Sequence, residues 1–230
     1  MTDTRTDGPP PRAILFDLDG TLIDTLWLYA ECFRRTLAPH LGYTPSDEEM
    51  MARGPGSERS FLLGWLGAEA GERAHAEFGR HYEELHGALH EGVYDGVMEM
   101  LAALRAAGYP LGVVTGKGRH AWTVTDREMG LGEFAVVVTD DDVAAPKPDP
   151  QGLLSAARAL DVPPAEIVYV GDSEADLLAG RAAGMRTAAV LWPKTGAGEA
   201  ERFVKKVEPL GPGWVFSRPA DVTRAFARWC

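Results

Sequence analysis

Five short apolar runs decide what this chain can fold into: AILF from Ala13, LGVVT from Leu111, AVVVT from Ala135, EIVYVG from Glu166 and TAAVL from Thr187. They are rich in Val and Ile and do not alternate with polar residues, so each strand must be covered on both faces. Helical patterns separate the later runs. GVMEMLAALRAAG (residues 96–108) ends on Gly108, a C-cap. GLLSAARALDVPPAE (152–166) is stopped by Pro163 and Pro164. SEADLLAGRAAGM (173–185) opens on Ser173 with Asp176 at capping-box spacing and stops at Gly184. Strand and helix in alternation predict an α/β fold with a parallel sheet and right-handed crossovers.

In such a sheet the ligand lies beyond the carboxyl ends of the strands. The first run ends in Asp17, Asp19 and Thr21, the second in Thr115, Gly116 and Lys117. The third leads through DDDVAA into PKPDP with Lys147, and the fourth ends in Gly171 and Asp172, followed by Asp176. Groups far apart in sequence therefore converge on one edge. Two carboxylates at the tip of a buried strand repel each other and cost several kcal/mol to desolvate unless something compensates them. A divalent cation, or a reaction in which a carboxylate attacks, explains the pair. If the strand geometry extends through the motif, residues two apart face the same way, and Asp19 faces the group that Asp17 attacks.

The net charge of −11 argues against a general nucleic-acid binder, but a local cation can reverse the field inside one pocket. Cys32 and Cys230 make neither a disulfide framework nor a metal cluster, and no apolar run reaches the length of a membrane span. The expectation is a cytoplasmic protein, monomer or homodimer, with a disordered head over residues 1–10.

DLDGT after a strand, Thr115 after the second strand, Lys147 in PKPDP and GDSEAD at 171–176 together resemble the haloacid dehalogenase superfamily of phosphohydrolases. The resemblance runs from Arg12 onward and implies a Rossmann-like parallel sheet with helices on both faces. It implies Asp17 as the nucleophile that becomes an aspartyl-phosphate and Asp19 as general acid and then base. Magnesium would be held by Asp17, the backbone carbonyl of Asp19, and Asp172. Thr115, Gly116 and Lys147 would bind the phosphoryl group, with Asp176 supporting Lys147 or a metal-bound water. Physical chemistry agrees: a carboxylate and an anionic ester repel, so positive charge must offset them. Magnesium prefers hard oxygen ligands, and Lys147 adds a point charge. Thr115 donates a hydroxyl, and the amides of Gly116 and Lys117 donate if a helix begins there. Many relatives carry Asn at the position of Gly116, so tuning of the phosphate contacts is expected.

Residues 24–92 break the strand–helix pattern and read as helices: DTLWLYAECFRRTLAPHL, SERSFLLGWLG and AEAGERAHAEFGRHYEELHGALHEG. They predict an inserted helical cap, with residues 11–23 and 93–230 forming the core. The insertion resembles the cap of the phosphoglycolate phosphatase and beta-phosphoglucomutase branch. Arg53, in a Gly54-Pro55-Gly56 loop, is a candidate for a substrate carboxylate or second phosphate, with Arg59 as its alternative. His81, His86 and His90 read as a partly exposed helix face rather than a metal site. Trp27 and Trp65 read as cap core, and TDDDV (139–143) as a solvated loop. The first lysine is Lys117, so chemistry that relatives assign to a cap lysine is disfavoured. Asp19 disfavours a dehalogenase. The expected activity is a magnesium-dependent phosphatase for a small phosphorylated metabolite, phosphoglycolate being the best single candidate. A phosphomutase or pyrophosphatase of the same branch is the enzymatic alternative, and a non-catalytic phospho-ligand-binding regulator the alternative of another class. The stretch from Gly196 onward is expected to add a last short strand and helix.

Overall fold

The computed structural model describes residues 9–53, 56–89 and 92–227. The expectations for residues 1–8, Gly54, Pro55, His90 and Cys230 lie outside the described residues. At the edge of the expected head, the Pro9 carbonyl accepts a hydrogen bond from Arg186 at 2.8 Å.

The five apolar runs form β1 (Ala13–Phe16), β4 (Leu111–Val114), β5 (Val136–Val138), β6 (Ile167–Gly171) and β7 (Arg186–Val190). With β8 (Trp214–Phe216) they make a six-stranded sheet in the order β5-β4-β1-β6-β7-β8. Every pairing in it is parallel. Strand order runs outward from β1 to β5 and then returns to the other side of β1. The reversal leaves a crevice at the carboxyl end of β1, between β4 and β6.

Both faces are covered, which is why the runs do not alternate. Ile14, Phe16, Val113, Val168 and Val170 pack with α5 (Val97–Ala106) and α10 (Pro219–Phe226). Ala13, Leu15, Val114, Ile167 and Tyr169 pack with α7 (Gln151–Leu160) and α8 (Glu174–Ala182). α8 begins at Ser173, whose hydroxyl and amide exchange hydrogen bonds with Asp176 as the capping-box spacing predicts.

The insertion leaves and returns through a short antiparallel pair, β2 (Ile23–Asp24) with β3 (Gly92–Val93). Between them lie α1 (Leu26–Leu41), α2 (Asp47–Ala52), α3 (Glu58–Leu66) and α4 (Ala68–Leu89). Their core of Leu28, Cys32, Leu62, Phe78 and Tyr82 also takes in Ala121 and Val124 of α6 (Arg119–Met129). The cap is therefore seated on a core helix. Neither α2 nor α6 stands out in the sequence: α2 is a single capped turn and a half, and the acidic and basic residues of α6 mask its buried stripe. α9 (Glu199–Val207) joins β8 and α10 in the C-terminal part, one helix more than expected.

Three readings of side chains are corrected. Trp27 is not cap core: it is 61% exposed beside Leu26, whereas Trp65 packs against the cap cluster. His86 is not on an exposed face but buried against the ring of Tyr82. TDDDV is a solvated loop only in part: Asp141 and Asp142 are exposed, but Thr139 is buried. Residues 140–142 form a 3-10 turn, and Asp140 is buried, because the cap residues Ser57 and Arg59 close over it. No helix among the described residues is long and apolar enough to cross a membrane.

Candidate active site

β1 stops at Phe16, so Asp17 and Asp19 stand on the loop after it. The period-two argument therefore does not apply to them, and their side chains take different partners. Asp17 remains anchored to the sheet through its amide, which donates to the Val170 carbonyl at 2.9 Å. Its Oδ1 accepts from Lys147 Nζ at 2.6 Å. The same ammonium donates to Asp176 Oδ1 at 2.7 Å and to the Tyr169 hydroxyl at 3.0 Å. Lys147 precedes Pro148 across a cis peptide bond.

Asp172 closes the cluster from the end of β6. One carboxylate oxygen each from Asp17, Asp172 and Asp176 lie within 4.8 Å of one another. Gly20 makes room for this: its φ of +80° is the left-handed region that favours glycine, and a β-carbon there would lie 2.7 Å from Asp172 Oδ2. Burial pushes the Asp17 carboxyl well above its ordinary range, with Lys147 opposing and Asp176 and Asp172 adding to the rise. Burial raises Asp172 likewise, opposed mainly by Lys194. Burial works against Asp176 too, but Lys147 and the Ser173 cap outweigh it and hold that carboxyl low.

This donor set fits a hard divalent cation. Asp17 and Asp176 are buried and Asp172 half-buried, the three are close together and short of positive charge, and oxygen is what magnesium requires. Asp17 and Asp172 suit it best, because each oxygen of Asp176 already accepts from two donors within 3.0 Å, whereas Asp172 Oδ1 has only the Thr21 hydroxyl at 3.5 Å.

Thr115 is buried at the end of β4, and a pocket lined by Thr115, Gly116, Asp140 and Lys147 opens there. Of the two amides expected to donate to a ligand, that of Lys117 is corrected. The Lys117 amide donates to Thr115 Oγ1 at 3.1 Å, leaving the Thr115 hydroxyl proton to donate elsewhere. The helix begins beyond both amides, at Arg119. Its first amides are already taken, Gly118 N by Glu58 at 3.0 Å and Arg119 N by Asp141 at 2.7 Å. Gly116 lies under the cap: its carbonyl accepts from the amide of Glu58 at 3.2 Å.

The Arg53 guanidinium lies 4.0 Å over the Trp65 ring and donates to the Gly64 carbonyl at 3.2 Å. Arg59 pairs with Glu72.

Two further lysines belong to the site, and the residue pattern alone assigns neither side chain a part in it. Lys194 donates to Asp172 Oδ2 at 2.6 Å. It lies just past the carboxyl end of the fifth apolar run, the same kind of position that locates the groups beyond the other four. Lys117 is fully buried and reaches from the core into the cap. Its Nζ lies 2.9 Å from the Tyr29 hydroxyl, 2.8 Å from the Tyr82 hydroxyl and 3.1 Å from Asp19 Oδ1. Burial works against its charge, yet Asp19, Tyr82 and Glu58 hold its pKa above the usual lysine range. So a lysine does stand among the cap aromatics, but as a charged group rather than the neutral amine a Schiff base needs.

Residues 14–190 match the family model of the haloacid dehalogenase-like hydrolases. The pyrophosphatase PpaX of Bacillus velezensis is 38% identical over 199 residues, 86% of this chain and 88% of that protein. The N-acetylmuramic acid 6-phosphate phosphatase of Pseudomonas aeruginosa is 37% identical, over 79% of this chain and 82% of its own. A phosphoglycolate phosphatase of Xanthomonas campestris is also 37% identical, over 79% and 84%. Among solved structures, CbbY from Rhodobacter sphaeroides in complex with phosphate superposes with a TM-score of 0.71 at 27% identity, covering 78% of this chain and 86% of that one. With this ancestry and a buried carboxylate cluster at the crevice of the sheet, the chain belongs to the haloacid dehalogenase-like hydrolase family, as one of its phosphatases.

Proposed function

We propose that this phosphatase hydrolyses a small phosphorylated metabolite with magnesium, through an aspartyl-phosphate on Asp17. The observation that supports the reading best is Lys147 bridging Asp17 and Asp176 beside Asp172, a cationic contact at the foot of an acidic cluster. The Asp17 carboxylate attacks phosphorus while the bond to the ester oxygen breaks. Asp19 gives that oxygen its proton. The ionised Asp19 then takes a proton from water, whose oxygen attacks the aspartyl-phosphate, releasing phosphate and restoring Asp17. Lys147, the Thr115 hydroxyl and the Gly116 amide hold the phosphoryl oxygens. Asp17, Asp172 and the Asp19 carbonyl would hold magnesium, which supplies positive charge against the two anions that must meet.

Phosphoglycolate is the first substrate to test. Pyrophosphate is the second, favoured by the relatives named pyrophosphatase PpaX. On either reading selectivity belongs to the cap, where Arg53 is the candidate contact once it leaves Trp65. A phosphate-release screen should include 2-phosphoglycolate, pyrophosphate, N-acetylmuramic acid 6-phosphate and an aryl phosphate. In it, Asp17→Asn should lower turnover of every substrate at least a thousandfold while the protein still melts cooperatively. Undiminished turnover by that variant would remove the nucleophile assignment.

A further inference from the structure

We propose that Lys117 is a positioning residue: it fixes the Asp19 carboxylate so that Oδ2 is the oxygen that exchanges a proton with the leaving group. This rests on the reading of Asp19 as the general acid. Two donors converge on one oxygen of that carboxylate. Thr25 Oγ1 donates to Asp19 Oδ1 at 2.5 Å, and Lys117 Nζ lies 3.1 Å from the same atom. An oxygen that accepts from both an alcohol and an ammonium is the carbonyl-like oxygen of a carboxylic acid. The proton belongs on the other one.

The ammonium has three protons and three partners, Asp19 Oδ1, Tyr29 OH and Tyr82 OH. It is also fully buried, unlike Lys147, so the lysine acts through Asp19 rather than on substrate. The partners also fix its place. Tyr29 lies on α1 and Tyr82 on α4, both in the cap, whereas Lys117 and Asp19 follow core strands. Tyr82 is held in turn by Thr125 of the core helix α6 at 2.8 Å, and the Tyr29 hydroxyl by Glu58. The rings of Tyr29 and Tyr82 flank the ammonium, with centroids 4.4 and 4.3 Å away, which favours a cation at that spot. A lysine needed only to neutralise buried charge would not require two aromatic hydroxyls and one particular carboxylate oxygen.

Leaving groups separate this role from a purely structural one. An alkoxide leaves only with a proton, whereas 2,4-dinitrophenolate leaves without one. kcat/KM reports events up to the first irreversible step, so it excludes the later attack by water. For Lys117→Met, kcat/KM on the best alkyl phosphate of the release screen should fall at least tenfold. On 2,4-dinitrophenyl phosphate it should fall less than threefold. Equal losses on the two substrates, or no loss on either, would overturn the proposal. Asp19→Asn serves as the control: if it shows no leaving-group dependence, the reading of Asp19 has failed. If it does and Lys117→Met does not, the inference about Lys117 alone has failed. Should Lys117→Met not fold, Tyr29→Phe and Tyr82→Phe each remove one anchor. They should show the same selectivity at smaller size, and losses independent of leaving group in both would reject the proposal.

Discussion

Lys147 and Lys194 divide the buried carboxylates between them, and the division has consequences for each residue. Lys147 sits between two carboxylates whose pKa values move apart: Asp176 is held low and Asp17 is left high by burial and by its acidic neighbours. Asp17 is thus the carboxylate most in need of further positive charge, which suits a nucleophile that acts only beside a cation. Lys194 stands where such a cation would have to approach Asp172. Removing one member of a half-buried ion pair strands the other, at a cost below the roughly 3 kcal/mol of a fully buried one. Lys194→Met should therefore lower the melting temperature in chelator by several degrees. A divalent ion can take over the partnership, so the gain in melting temperature on adding magnesium should exceed the wild-type gain, and calorimetric magnesium affinity should rise severalfold. An unchanged affinity would mean that Lys194 and the ion do not share Asp172. Asp17, Lys147 and Asp172 were legible in the sequence because each comes after an apolar run that must be a covered strand. Lys117 was visible at the same kind of position, but its contacts were not: nothing in the residues around it announces that Tyr29 and Tyr82, from distant helices, supply its partners.

At the scale of elements, the join of α3 to α6 matters most. Glu58 opens α3 and is buried. Its carboxylate accepts from Gly118 at the start of α6 and from the Tyr29 hydroxyl, and its own amide donates to Gly116. An acid at a helix N-terminus is favourable, and here the acid belongs to the cap and the helix to the core. His75 on α4 completes the join, with Nε2 3.5 Å from Glu58 Oε2. The hydrogen bond to Glu58 raises the His75 pKa against the effect of burial, and Asp141 and Asp140 add to the rise. A raised histidine contributes stability that is fully present below its unfolded pKa, about 6.5. That contribution is lost as pH climbs through the higher folded value. The urea midpoint of the wild type should therefore fall as pH rises from about 6.5 through that value. His75→Gln should flatten the decline, and a variant with the same slope would place the titration elsewhere. Such joins are hard to read from sequence. The apolar periods of α3 and α4 predict two helices, but not that Ser57 and Glu58 meet residues 116–118, because that contact depends on where the β2–β3 hinge sets the cap.

For the whole molecule, the sheet was legible and the closure over it was not. A covered parallel strand writes its burial into consecutive residues such as Ile14, Leu15 and Phe16, whereas α6 spreads the burial of Ala121, Trp122, Val124 and Thr125 among exposed charges. The consequence is electrostatic. The chain carries a net charge of −11, and its carboxylate cluster lies where an anionic ester must bind, so the bare protein opposes its own substrate. Lys147 is already committed to Asp17 and Asp176, and Lys194 to Asp172, so these lysines offset carboxylates and leave little charge for the ester. On the proposed reading the missing charge comes from a bound cation. Phosphate release should therefore vanish in EDTA and return with magnesium, and calcium, which tolerates looser and larger coordination, should restore far less. Binding confined to the folded state also stabilises it by mass action, about 2.7 kcal/mol at a hundred times the dissociation constant. The melting temperature should rise with magnesium and the rise should be blunted in Asp172→Asn, which removes a ligand but keeps the volume. Full turnover in chelator, with no magnesium-dependent shift in melting, would mean that the lysines alone overcome the repulsion and that the acidic cluster holds no ion.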